Sequence, residues 1–117
     1  MTNTEIVRRI NEGFESGDDD AIVSYLADDV VWDMMGGFHA VGKEAFRKAI
    51  FNAAFEPTAK ITVKNILAER DMVALEGMVD CTRKADRAVI TYHFFDFYRL
   101  ENGKVREMRS YVIEKKQ

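Results

Sequence analysis

The spacing of apolar residues changes period once along this chain, and that change limits the possible folds more than any other feature. Before about residue 54 they recur every three or four positions; beyond Pro57 they alternate. Ile6, Val7, Ile10 and Phe14 fall on one face of a first helix, and Thr2 followed by Glu5 has the capping-box spacing that would start it. Gly17 suits its C-terminal cap. Asp18, Asp19 and Asp20 would then cap and charge a second helix carrying Ala21, Ile22, Tyr25 and Leu26. Val30 to Met34 reads as a short strand, and Met35 to Gly42 as a glycine-rich loop at the rim of a site. Lys43 to Ala54 has helical spacing in Phe46, Ala49, Ile50 and Ala53, with Pro57, the only proline, expected to end it.

The second half is strand-like. Ile61 to Glu69, Met72 to Thr82, Ala88 to Leu100 and Lys104 to Glu114 are rich in β-branched and aromatic residues at a period of two. Asn102-Gly103 between the last two runs is a hairpin signal, because both residues tolerate the positive φ of a type I′ turn. Arg70-Asp71 and Lys84 to Arg87 would make the other turns. Helices first and an antiparallel meander afterwards predict one α+β domain over residues 1–117, with three helices on one face of a curved, mainly antiparallel sheet.

Composition narrows the function classes. Hydrophobic residues make up 47% and charged residues 32%, enough apolar content to form a core without staples. Seventeen basic against twenty acidic residues give a charge of −3, without the basic excess of a phosphate-backbone binder, so no nucleic-acid partner is expected. The longest strongly apolar stretch, Ala88 to Phe95, is too short to span a bilayer, which takes about 20 residues. No membrane partner is expected. Cys81 is the only cysteine, and the first residues lack the basic-then-apolar pattern of a signal peptide, which makes the cytoplasm the expected compartment. His39 and His93 are the only imidazoles, with no compact ligand spacing, so neither a metal site nor a cofactor is expected.

Ala27-Asp28-Asp29-Val30-Val31-Trp32, the glycine-bearing loop, Lys43 to Ile50, and the run from Phe97 to Tyr111 together resemble the nuclear transport factor two-like superfamily. Within it the chain is most similar to SnoaL-like proteins, which include polyketide cyclases, and to ketosteroid isomerases. The resemblance spans nearly the whole chain and implies a cone-shaped α+β barrel enclosing a deep pocket. Because the superfamily also holds dehydratases, epoxide hydrolases and non-catalytic association domains, it implies fold more specifically than reaction.

Asp96 is the residue type most out of place. It lies in Tyr92-His93-Phe94-Phe95-Asp96-Phe97-Tyr98, where alternation puts Tyr92, Phe94, Asp96 and Tyr98 on one face. Burial among aromatics disfavours the charged carboxylate, which would make Asp96 a proton donor near neutral pH. The resemblance agrees, since an acid stands three residues before the residue equivalent to Arg99 in both isomerases and cyclases. An aspartate that keeps an apolar strand soluble, or one paired with a buried arginine, is the alternative. The isomerases' general base maps to Met34 and their oxyanion-hole tyrosine to Ile10, which argues against steroid isomerisation. Asp33, His39, Glu76 and Asp80 are candidates to assist Asp96.

Trp32, Met34, Phe94 and Tyr98, with Phe14, Met78, Tyr92 and Met108, would line a flat apolar cavity, and Ser110 would add one polar contact; an ordinary core is the competing reading for each. The other face of the long strand bears Phe95 and Phe97, which would need cover from a second copy of the chain. These residues predict a homodimer that binds a small apolar, cyclic or aromatic molecule. Its activity would be a cofactor-independent cyclase, isomerase or dehydratase reaction with Asp96 as acid/base. The alternatives are a ligand-binding module in which Asp96 only anchors, or an association domain with a filled cone.

Overall fold

The computed structural model describes residues 1–116. Helix α1 (Asn3–Ser16) opens on the Thr2/Glu5 capping box and closes on Gly17, whose φ of 71° is the left-handed conformation that glycine adopts without strain. Helix α2 (Asp19–Ser24) is capped by the Asp18 side chain. Strand β1 (Leu26–Met34), the short β2 (His39–Val41) and helix α3 (Lys43–Ile50) complete the first half. Four long strands follow, β3 (Phe55–Glu69), β4 (Met72–Arg83), β5 (Val89–Glu101) and β6 (Lys104–Glu114). They form one six-stranded, curved, unclosed sheet in the order β2-β1-β6-β5-β4-β3, antiparallel except where β1 runs beside β6. The three helices lie on one face.

That face holds the core. Ile6, Val7 and Ile10 of α1, Ile22 of α2 and Phe46 of α3 pack against Val30, Trp32, Val73, Leu75, Phe94, Tyr98, Leu100, Val105 and Met108. Asn102 and Gly103 both take positive φ, 52° and 76°, giving the two-residue hairpin that sets the β5–β6 register.

Several boundaries differ from the sequence expectation. The second helix stops at Ser24 and Leu26 joins β1, because the Tyr25 carbonyl accepts from Val105 N–H and Leu26 lies opposite Val105. Pairing with β6 thus outweighs helical spacing. Strand β2 forms inside the expected loop, where His39 pairs with Asp33 and Ala40 with Trp32. The third helix ends at Ile50, ahead of Pro57, and β3 begins at Phe55 rather than Ile61. Pro57 lies instead in β3, an edge strand, where the β3–β4 register is interrupted between Phe55 and Ala59; a residue without an N–H is tolerated there.

The β3–β4 pairing has a second irregularity. The β3–β4 register shifts between Val63 and Asn65, and Gly77 on β4 lies opposite Val63. A Cβ at Gly77 would come within 2.0 Å of the Thr62 carbonyl oxygen, a backbone atom with little room to move. Gly77→Ala is therefore expected to destabilise the protein by roughly 1–3 kcal/mol, lowering the melting temperature in circular dichroism by about 5–10 °C. An unchanged melting temperature would show that the two backbones can separate freely.

Candidate active site

Between the helices and the sheet lies an apolar cavity of about 470 Å³, within the roughly 300–1,000 Å³ typical of small-molecule sites. The structure brings Phe14, Trp32, Met34, Tyr92, Phe94, Asp96, Met108 and Ser110 together in its wall. Alternation places them there: Tyr92, Phe94 and Asp96 succeed one another on β5, Met108 and Ser110 on β6, and Trp32 and Met34 on β1. Residues from other elements complete the wall, among them Asn11, Ile50, Phe55, Ile61, Val79, Cys81 and Val112, while Asn52 and Lys84 are exposed at its rim.

Two residues expected in the wall are elsewhere. Met78 lies on the opposite face of β4, the cavity face carrying Val79 and Cys81. Tyr98 is fully buried in the core without touching the cavity, and its hydroxyl has no hydrogen-bond partner. Burial first, and the nearby Asp96 second, hold this phenol well above its ordinary pKa.

The candidate helpers of Asp96 also point away from it. Glu76 is exposed and accepts from Asn65, and Asp80 accepts from Thr91. His39 hydrogen-bonds Asp33 at the β1–β2 edge, not over the cavity, because both alternate to the face opposite Trp32. The arginines of β5 and β6 are engaged on the outer face: Arg99 with Asp71, Arg106 with Asp29 and Glu101, Arg109 with Glu107.

Asp96 is thus buried without an ion-pair partner. Desolvation raises its carboxyl from the usual range to about 7, partly opposed by the hydroxyl of Ser110, directly across the ladder on β6. Trp32 Nε1 donates to Ser110 Oγ at 3.0 Å. Burial also raises the Cys81 thiol and the Tyr92 phenol, which makes neither a readily ionised nucleophile or base near neutral pH. Among the described residues, no three His, Cys, Asp or Glu side chains gather as metal ligands, and no helix is long and apolar enough to cross a membrane.

Val79, Cys81 and Val112 were legible as wall residues in principle. Val112 continues the alternation of Met108 and Ser110, and the acids Glu76 and Asp80 flanking Met78 mark its face of β4 as the outward one. Asn11, Ile50 and Phe55 had no such signal, since their positions depend on how the helices lie on the sheet.

The linkage sign for Asp96 follows from its raised pKa. Between about pH 4, where a free aspartate titrates, and about pH 7 the folded state binds more protons than the unfolded chain, so this residue makes stability fall as pH rises. Asp96→Asn should gain stability over the wild type across that interval, on the order of 4 kcal/mol by pH 8, with little gain at pH 4. Urea unfolding of both proteins at the two pH values measures this; a pH-independent difference would place the Asp96 pKa at its ordinary value.

The SnoaL-like domain family model matches residues 7–108. No curated protein sequence gives a significant match. Among solved structures, an LEH-like epoxide hydrolase from M. tuberculosis superposes with a TM-score of 0.80 at 14% identity, over 93% of this chain and 80% of that one. A protein with a ketosteroid isomerase-like fold from Catenulispora acidiphila, in complex with trimethylamine, gives 0.81 at 18% identity over 94% and 86%. A candidate polyketide cyclase from Xanthomonas campestris pv. campestris gives 0.76 at 21% over 92% and 87%. At such identities the likeness carries the fold alone, which is that of nuclear transport factor two-like proteins. The match across residues 7–108, on this order of helices and strands, makes the chain a member of the SnoaL-like domain family.

Proposed function

We propose that this protein binds a small apolar molecule, cyclic or aromatic, in its cavity, and that Asp96 gives a proton to an oxygen of that molecule without a cofactor. The observation that carries this is a buried carboxyl in a mainly apolar wall, its pKa raised to about 7 by burial, with no cation paired to it. A neutral carboxyl donates to a carbonyl, ether or hydroxyl oxygen, and as the proton leaves, the electron pair stays on the carboxylate. Cyclisation, isomerisation and dehydration fit this arrangement, because one carboxyl can first protonate an oxygen and then take a proton back from the same molecule. The family membership and the fold shared with cyclase and epoxide hydrolase structures support the same reading.

A second reading, a ligand-binding module with Asp96 as hydrogen-bond anchor, is favoured by Met34 in the wall where the isomerases have their base. Glu56, also in the wall, is tied to Arg87, and among the described residues no second buried carboxyl or imidazole stands beside Asp96.

Both readings predict the same binding behaviour. Trp32, the only tryptophan, lies in the wall, so its fluorescence reports occupancy. The bicyclic ketone 1-indanone should quench it saturably at pH 6 and bind at least about tenfold more weakly at pH 9, once the donor proton is lost. Equal affinity at both pH values would remove Asp96 from the contact. On any substrate turned over, Asp96→Asn should lower kcat by roughly 10²–10⁴-fold; full turnover would leave the binding-module reading.

The outer sheet face carries exposed Phe95, Tyr111 and Ile113, with Phe97 between Arg99 and Arg109, and the helices cover only the other face. A second copy of the chain is the cover we propose. Sedimentation should give a dimer for the wild type and a monomer for Phe95→Glu. A monomeric wild type, or a dimeric variant, would contradict this interface.

A further inference from the structure

We propose that Trp32 and Ser110 are positioning residues for Asp96: a hydrogen-bond chain from indole to hydroxyl to carboxyl holds one carboxyl oxygen and leaves the acid's proton on the other, facing the cavity. This rests on Asp96 being the acid of the pocket.

The chain has a direction because its first member can only donate. The indole N–H of Trp32 has no acceptor capacity, so at 3.0 Å from Oγ it makes Ser110 the acceptor of that bond. Ser110 is buried and keeps one proton of its own to donate. Asp96 is its direct cross-strand neighbour on the same face of the antiparallel ladder, and the serine hydroxyl favours the charged carboxylate as a donor does. Accepting the indole bond polarises the serine O–H and strengthens this second bond. A carboxyl oxygen that accepts from Ser110 is not the one that carries the proton. When the other oxygen gives its proton to a bound molecule, the O–H bond breaks towards the carboxylate, and the Ser110 bond strengthens as charge appears.

The indole is itself held from three sides. It stacks on Phe46 of α3 at 4.5 Å, meets Phe38 of the loop edge-on at 4.9 Å and tilts against Phe14 of α1 at 5.8 Å. This aromatic cage fixes Nε1, and through it the orientation of Asp96, by the helical layer.

Other groups face Asp96 or its cavity. They are Cys81 of β4, Tyr92 and Tyr98 of β5, Asp19 of α2, Glu56 of β3, Lys84 of the β4–β5 turn and the neutral Asn11 of α1. β1 presents only Trp32 and Met34, β6 only Met108, Ser110 and Val112, and α3 only Ile50. Asp33 of β1, adjacent to Trp32 in sequence, and its partner His39 of β2 lie on the far face of the sheet.

A single tryptophan gives one indole N–H resonance, which makes the chain observable without any substrate. In the ¹⁵N-labelled full chain that resonance should move with pH at the same midpoint as the Asp96 ¹³Cγ signal, near 7. The movement should vanish in Asp96→Asn and persist in His39→Gln. In Ser110→Ala the Asp96 midpoint should rise by about one pH unit, a tenfold change in proton affinity, and Ser110→Thr should restore it. Should Ser110→Ala fail to fold, Trp32→Phe keeps the ring without its N–H and should raise the midpoint in the same direction. An indole resonance that stays still while Asp96 titrates near 7, or midpoints unchanged in both variants, would overturn the chain and leave Asp96 as the acid. A wild-type Asp96 midpoint near 4 would overturn the acid and the chain together.

Discussion

Removing the Asp96 carboxyl from water favours its neutral form, and the fold brings no cation to reverse that. Arg99 and Arg109, on the two strands that flank the site, alternate to the outer face, Arg106 is turned out by the register shift opposite Arg99 and Leu100, and the three are held there by Asp71, Asp29, Glu101 and Glu107. The same alternation that turns Arg99 and Arg109 outward turns Asp96, Met108 and Ser110 inward. Strand parity therefore does what a distance restraint would do in a loop-built site. It separates opposite charges by the thickness of a sheet, and the raised pKa of Asp96 depends on that separation.

An interior cavity also needs a sheet that bends, and the β3–β4 pairing carries two register shifts of the kind that bend strands. Gly77 lets the Thr62 carbonyl approach where any other side chain would intervene, and the extra residue beside it shifts the register. Farther along β3, the interruption near Pro57 brings Phe55, Ala59 and Ile61 into the wall. The helices then cover a concave surface without filling it. What remains open is lined mainly by side chains with no polar atoms, so a bound molecule's oxygen has few partners other than Asp96 and Ser110 in that part of the wall.

Much of this was legible in the sequence wherever a local rule and the tertiary context agree. The Thr2/Glu5 box, Gly17 and the Asn102-Gly103 hairpin are set by backbone chemistry within a few residues, and the inward set of β5 follows from alternation around Asp96. Legibility failed where a partner distant in sequence decides. Leu26 has helical spacing but pairs with Val105, some eighty residues away, and His39 to Val41 become a strand only because β1 offers an edge. On β4 the error was one residue of parity: Met78 is the more lipophilic-looking choice for a ligand wall, but its neighbours Glu76 and Asp80 share its face and belong in water. Tyr98 follows the right parity yet sits too deep, since alternation chooses a face and not a depth.

Depth also sets Asp96 apart from the surface aspartates of this chain. A residue needed only for solubility would sit on the outer face, and one needed only for folding would be paired or apolar; Asp96 is neither, in a wall where a neutral side chain of similar size would avoid the cost of desolvating charge. A one-residue slip of β5 would relieve that cost by exposing Asp96. It would also expose Phe94, Tyr98 and Leu100 and break the turn at Asn102-Gly103, a loss of several buried side chains at roughly 1.5–3 kcal/mol each. The apolar residues and the hairpin thus hold the acid in a place that its own hydration opposes. A group kept against its local preference by the rest of the fold, and standing in the wall of an open cavity, is the arrangement expected where burial serves reactivity and not stability.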